Sequence, residues 1–304
     1  MPKYLFLFLL SCSAMADTVT INGASNTVVY AQEYSATPTT DCLIIKNSSN
    51  VTVIKSKFTN CRIGLIVQAS SNIIIKDSWF EDVAAGINVS INSSGIKVFD
   101  NHFLNFHASG SIGQMIQFNT INSAGNMVVG NYVLNQPTLS TTKDIINLFK
   151  SGGVAGSPLL IANNKINGGN DPSGVGILVG DGSTPGSYVD VRDNILINPG
   201  QAAVAIGGGH DINVTGNKAY GMMQSNLTWI GMYANSLQLP SATPPTNDPN
   251  CYNILFDNNS MDWTNKYGAK SNFVDTGECT NVTQTNNNFD NTNDLSGLNF
   301  NFWN

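Results

Sequence analysis

Charge is what this sequence has least of. Only 11% of its 304 residues are Asp, Glu, Lys or Arg, against about a quarter in ordinary globular domains. Just two are arginines, Arg62 and Arg192, and the formal net charge is −6. An acidic chain of this kind lacks the positive surface that nucleic acids require. The cysteines show no C-x-x-C spacing, which speaks against zinc. No D-x-D-x-D-G loop occurs either; Asp181, Asp190, Asp193 and Asp211 are the acidic residues that calcium could use. The expectation is therefore no metal and no cofactor, with calcium the one candidate. Beyond the first residues no apolar run is long enough to span a membrane.

What the chain does have is glycine, 28 residues of it, and abundant asparagine. Both favour turns and left-handed backbone, so many short strands joined by tight corners are expected. Residues 1–16, MPKYLFLFLLSCSAMA, carry an early lysine, an apolar run and Ala14-Met15-Ala16 before Asp17. This is the pattern of a secretory signal peptide, and it predicts a secreted or periplasmic protein. Four cysteines follow it. Their spacing favours the disulfides Cys42–Cys61 and Cys251–Cys279 in an oxidising compartment.

A repeat decides the fold class. VTVIKSKF, IIIKDSWF, IKVFDNHF, LLIANNKI, VDVRDNIL and INVTGNKA each run an alternating apolar strand into Ser or Asn, with an apolar residue two positions later. The recurring polar positions are Ser56, Ser78, Asn101, Asn131, Asn164, Asn194, Asn217, Asn258 and Asn286. A second strand recurs between them: GLIV, GINV, MIQF, IINL, GILV, AVAI and IGMY. Units too short to bury their own apolar face must stack on their neighbours. The prediction is all-β: a parallel β-helix of about nine coils, rising about 4.8 Å per coil, with the Ser/Asn positions as an internal corner ladder. Antiparallel hairpins would instead show regular Asn-Gly turns.

Residues 17–304 thus read as one domain, expected to be a monomer. The longer intervals must leave the stack as loops, near 104–114, 134–144, 167–175 and 220–250. Loops rising beside a flat sheet wall a groove suited to a long polymer.

In the middle of this region stands KDIINLFKSGG, residues 143–153, where Lys143, Asp144, Asn147 and Lys150 gather in a chain otherwise poor in charge. Alternation puts Ile146 and Leu148 on one strand face and Asn147 on the other. Aligning the second strands places Asn88, Gln117, Asn147, Leu178 and Ala205 in one outward column, with Lys150 beside Asp181 one step further on. Lys150 is a candidate base or electrostatic clamp. His210, in GGGHD, is a candidate general base. Tyr188 and Tyr233 are candidate proton donors, and Arg192 a candidate carboxylate binder.

The stretches DIINLFKSGG, SPLLIANNKINGGNDPSGVGILVGDG, NPGQAAVAIGGGHDINVTGNKAYG, WTNKYG and GECTNVT resemble secreted right-handed β-helix proteins. The group includes polysaccharide lyases acting on uronate polymers such as alginate or glucuronan, and the resemblance covers about residues 125–290. It implies β-elimination on an anionic polysaccharide. Lys150 would be base or clamp, Asn147 and Arg192 the carboxylate binders, and Tyr188 or Tyr233 the acid; Asp181 would hold Lys150, and Gln117 would join the substrate-binding residues. The alternatives are a uronate C5-epimerase sharing the proton-abstraction step and a non-catalytic, adhesin-like carbohydrate binder. A glycoside hydrolase would need two carboxylates, for which Asp181 and Asp211 are the candidate pair.

Overall fold

In a computed structural model, residues 17–184, 186–224, 228–237 and 247–290 are described, together with the backbone of residues 5–7. The expected signal segment therefore lies mostly outside the described residues, as does part of the expected 220–250 loop.

Each repeat becomes one coil of three strands, and every strand pairs in parallel with its counterparts in the coils before and after. The first coil is Val19–Asn22, Ser25–Tyr30 and Glu33–Ser35; the tenth is Phe273–Asp275, Thr280–Thr285 and Asn288–Phe289. Stacking gives a first sheet of 10 strands, a second of 11 and a third of 10. The eleventh strand of the second sheet is Leu5–Leu7, paired with the first coil. The nine repeats legible in the sequence are coils two to ten. The first coil escapes the pattern because Gln32 stands at its ladder corner, its backbone N–H donating to Ser56 Oγ at 3.3 Å.

The interior follows from strand alternation. Val53, Ile75, Val98, Val128, Ile161, Val191, Val214 and Phe256 pair in succession on the inner face of the second sheet, and all are buried. On the third sheet Tyr34, Phe58, Phe80 and Phe103 stack ring on ring, with centroids 5.0, 4.6 and 5.0 Å apart. Parallel in-register stacking of like residues removes nearly all of this apolar area from water, the main stabilising term of such a fold.

The corner between the second and third sheets carries the ladder. Asn131 donates through both its backbone N–H and Nδ2 to Asn164 Oδ1, at 3.0 and 2.9 Å. Asn164, Asn194 and Asn217 repeat the arrangement. Two expected members are displaced by one residue: the rungs are the buried Asn259 and the half-buried Asn287, not Asn258 and Asn286. The latter take left-handed φ values of 55° and 51°, the turn conformation that Asp100, Asn163 and Asp193 adopt just before their own rungs. In Asp-Asn-Asn and Asn-Asn-Asn the turn residue and the rung are chemically alike, so the repeat leaves them one place ambiguous.

Disulfides join Cys42 to Cys61 and Cys251 to Cys279, tying coil two to three and nine to ten. No helix among the described residues is long and apolar enough to cross a membrane.

Candidate functional site

The outer face of the first sheet is unusual for its chemistry along one column. Registered pairing aligns Ile44, Ile66, Asn88, Gln117, Asn147, Leu178, Ala205 and Tyr233 in successive coils. After Thr20 in the first coil, the column therefore passes two isoleucines, turns to three amides, and ends apolar. Asn88 Nδ2 donates to Gln117 Oε1 at 2.9 Å, and Gln117 Nε2 to Asn147 Oδ1 at 3.3 Å. Asn147 Nδ2 then donates to two carboxylates at once, Asp144 Oδ2 at 2.7 Å and Asp181 Oδ2 at 2.9 Å. Amide donors thus all run one way and end on acid.

A β-bulge brings Asp181 there. Val179 lies opposite Leu148, but Asp181 lies opposite Phe149, so Gly180 is an extra residue. The bulge turns the Asp181 side chain onto the outer face that Asn147 occupies. Only glycine fits: its φ is 81°, and a Cβ there would lie 2.1 Å from the Gly208 carbonyl oxygen. The expected alignment of Lys150 with Asp181 is corrected by this extra residue. The Lys150 backbone N–H donates to the Asp181 carbonyl oxygen at 2.7 Å. Its ammonium sits 5.3 Å from the centre of the Phe149 ring instead, so Asp181 does not hold it.

Asp144 is the residue that the sequence brought into view without assigning. It lies two residues ahead of the strand Ile146–Phe149, where alternation gives it no face. Its Oδ1 accepts the Val175 backbone N–H at 3.1 Å, linking it to the segment that enters the next coil. Burial pushes its carboxyl up to about 6 from an ordinary 3.8; hydrogen bonds from Asn147 and Val175 oppose the rise, while the charges of Asp181 and Asp171 add to it. A carboxyl raised in this way beside a second carboxylate is the arrangement that can separate acid from base.

A cavity of about 350 Å³ opens along this face. Asn88, Gln117, Asn119 and Phe149 contribute to its lining, Asp181 stands at one end, and Ser111 and Ile112 of the turn after coil four close one side. That turn is held by reciprocal Ser109–Ile112 backbone bonds and by Lys143 Nζ donating to the Gly110 carbonyl at 2.6 Å. Beyond the carboxylates, Tyr233 packs with Val175, Leu178, Ala202, Ala205 and Ile230. Burial pushes its phenol up to about 12, with the charges of Asp144 and Asp181 adding to the rise. The Trp229 ring, 45% exposed, leans against it with centroids 5.9 Å apart.

The other residues singled out from the sequence fall elsewhere. Tyr188 and His210 meet at the corner between the first and second sheets, where their rings touch edge to face at 5.3 Å. His210 also stacks on Tyr252 and bonds through Nδ1 to Asp211 Oδ2 at 2.7 Å. Arg192 ends a second-sheet strand, its guanidinium 3.3 Å from Asp193. Asp211 therefore belongs with His210, and Asp181 with Asp144. Asp190 accepts from Asn213. Among the described residues no three His, Cys, Asp or Glu side chains converge as a metal site.

A family model described as a right handed beta helix region matches residues 11–133, upstream of all the stretches that carried the resemblance. The chain is a right-handed parallel β-helix. No curated protein matches the sequence. Among solved structures, a double mutant of the tailspike protein of E. coli bacteriophage HK620 is 14% identical, with a TM-score of 0.65 over 93% of this chain and 53% of that one. A single mutant of the same tailspike, in complex with a pentasaccharide, gives 0.62 at 13% identity over 94% and 58%. PfbA, a surface adhesin of Streptococcus pneumoniae, gives 0.51 at 14% identity over 88% and 62%. An alginate lyase from Paenibacillus sp. gives 0.48 at 14% identity over 89% and 87%. This chain spans just over half the length of the tailspike and about three fifths of the adhesin. These identities carry the shared fold alone.

Proposed function

We propose that this is an extracellular, polysaccharide-acting β-helix that opens a glycosidic bond in the groove of its first sheet. The observation that carries the reading is the carboxylate pair on one amide nitrogen. Because Asp144 Oδ2 and Asp181 Oδ2 both accept from Asn147 Nδ2, they lie within about 6 Å of each other, near the close spacing used for double-displacement hydrolysis. Asp144 donates its proton to the departing glycosidic oxygen as the C–O bond breaks. Asp181 attacks the anomeric carbon and forms a glycosyl ester. Water then releases the sugar, giving its proton back to Asp144. Asn147 keeps the two groups oriented, and the phenol of Tyr233, which stays protonated, borders them. The two disulfides fit an oxidising, extracellular setting, and the tailspike bound to a pentasaccharide is a precedent for a glycan on this fold.

A second reading, β-elimination by a uronate lyase, rests on a different observation. Tyr233 and Gln117 share one column, so a proton donor and an amide with an N–H left for a substrate carboxylate lie on the same face, with Lys150 in the coil after Gln117. The two chemistries leave different products. Incubation with a panel of polysaccharides tests them together: new reducing ends without ultraviolet absorbance mean hydrolysis, and an absorbing unsaturated uronate means elimination. Intact polymer throughout would remove both cleaving chemistries and leave the carbohydrate binder or the C5-epimerase, which breaks no chain.

A further inference from the structure

The groove also shows what kind of glycan it takes, an inference that rests on the polysaccharide reading above. We infer that the groove takes an uncharged glycan, laid along the helix axis with amides on one side of the carboxylate pair and the Trp229 ring on the other.

The argument begins with charge. Among the described residues lining the cavity, Asp181 is the charged one, and no lysine or arginine joins it. The cations nearby are engaged within the protein. Arg62 grips Asp41 through two bonds, at 2.9 and 2.6 Å, and Lys143 holds the Gly110 carbonyl. Lys150 rests over Phe149, and Arg192 lies on another sheet beside Asp193. A polyanion threaded here would set a carboxylate or sulfate on nearly every sugar against Asp181, with Lys143 and Lys150 at the border and no counter-charge within the lining itself to offset its desolvation.

What the groove offers instead is neutral hydrogen bonding. In the chain from Asn88 through Gln117 to Asn147, each amide spends one N–H on the next carbonyl. That leaves one N–H on Asn88 and one on Gln117 for a ligand, in adjacent coils about 4.8 Å apart along the axis. Asn119 and Gln114 add further amides to the lining. Amide donors repeating along an axis suit sugar hydroxyl oxygens. On the far side of the acid pair, Leu178, Ala205 and Tyr233 are closed off in a buried apolar cluster, and the exposed Trp229 ring that leans on Tyr233 presents the flat apolar face that suits the C–H side of a pyranose. The track is polarised, so a bound chain has a fixed direction across Asp144 and Asp181.

Calorimetric binding of the wild-type protein to neutral polymers (mannan, galactan, arabinoxylan) and anionic ones (alginate, pectate, hyaluronan) tests this. The expected result is binding to a neutral polymer, unchanged within about twofold from about 0.1 M to about 1 M salt. Gln117→Leu and Trp229→Ala should each weaken it about tenfold. Binding confined to anionic polymers, falling steeply with salt, would overturn the inference and leave the polysaccharide reading standing. Binding to none of the panel would overturn both.

Discussion

Asp144 and Asp181 lie in different coils and share one hydrogen-bond donor, the Nδ2 of Asn147, at 2.7 and 2.9 Å. A single amide thereby fixes two carboxylates, and burial together with the neighbouring charge of Asp181 raises the carboxyl of Asp144 above its ordinary range.

That arrangement sets a basic limb in the pH profile. Asp144 must carry its proton to serve as acid, and its carboxyl titrates near 6. Activity should fall about tenfold per pH unit above that point. A rate profile between about pH 4 and 9 checks this, and a plateau extending past pH 8 would exclude Asp144 as the acid.

Stability should follow the same group. The folded protein holds the Asp144 proton up to about 6, whereas the unfolded chain releases it near 3.8. Over that interval the native state binds more protons, so its stability declines as pH rises and then levels off. Thermal midpoints measured across the interval should show this slope. Asp144→Asn should flatten it.

Asn147→Leu tests the shared donor. Leu178 already stands next in the column, so leucine is compatible with the surface there. Two carboxylates left without their donor raise each other's affinity for protons. The expected result is about a hundredfold loss of rate with a basic limb moved upward. Loss of rate with an unmoved limb would mean that Asn147 positions the pair without setting its protonation.

Much of this was legible in the sequence, and the losses have physical causes. The outward column from Asn88 to Ala205 follows from strict alternation. The bulge at Gly180 does not, because a glycine near a strand end reads as a turn; one extra residue moved the partner of Asp181 from Lys150 to Phe149. Tyr188, His210 and Arg192 look adjacent to the site in a linear alignment, yet a three-sided coil sends successive strands to different faces. Asp144 stood in view within KDIINLFKSGG but outside the strand, where periodicity assigns no direction. A charged residue just before an amide-bearing strand, in a chain this poor in charge, was the available signal.

The corrected ladder makes a stability prediction. Asn259 donates to Asn287 Oδ1 and to the Val214 carbonyl from a buried position, so Asn259→Ala should cost about 2–4 kcal/mol. Asn258, in the left-handed turn, should accept glycine with a change under about 0.5 kcal/mol. Denaturant titrations of both variants distinguish rung from turn.

Tyr34 offers a gain. Its hydroxyl is buried without a hydrogen-bond partner, and burial pushes the phenol up to about 12. Tyr34→Phe should continue the aromatic stack onto Phe58 and stabilise the protein by about 1 kcal/mol, read as a higher unfolding midpoint.

The most direct test of the central claim is the rate of reducing-end release from a polysaccharide that the groove binds, compared among wild type, Asp144→Asn and Asp181→Asn. The account predicts a wild-type rate reduced at least about a thousandfold in either variant, with folding and glycan binding retained. Variants that cut as fast as the wild type would contradict it and move the chemistry away from this pair of carboxylates.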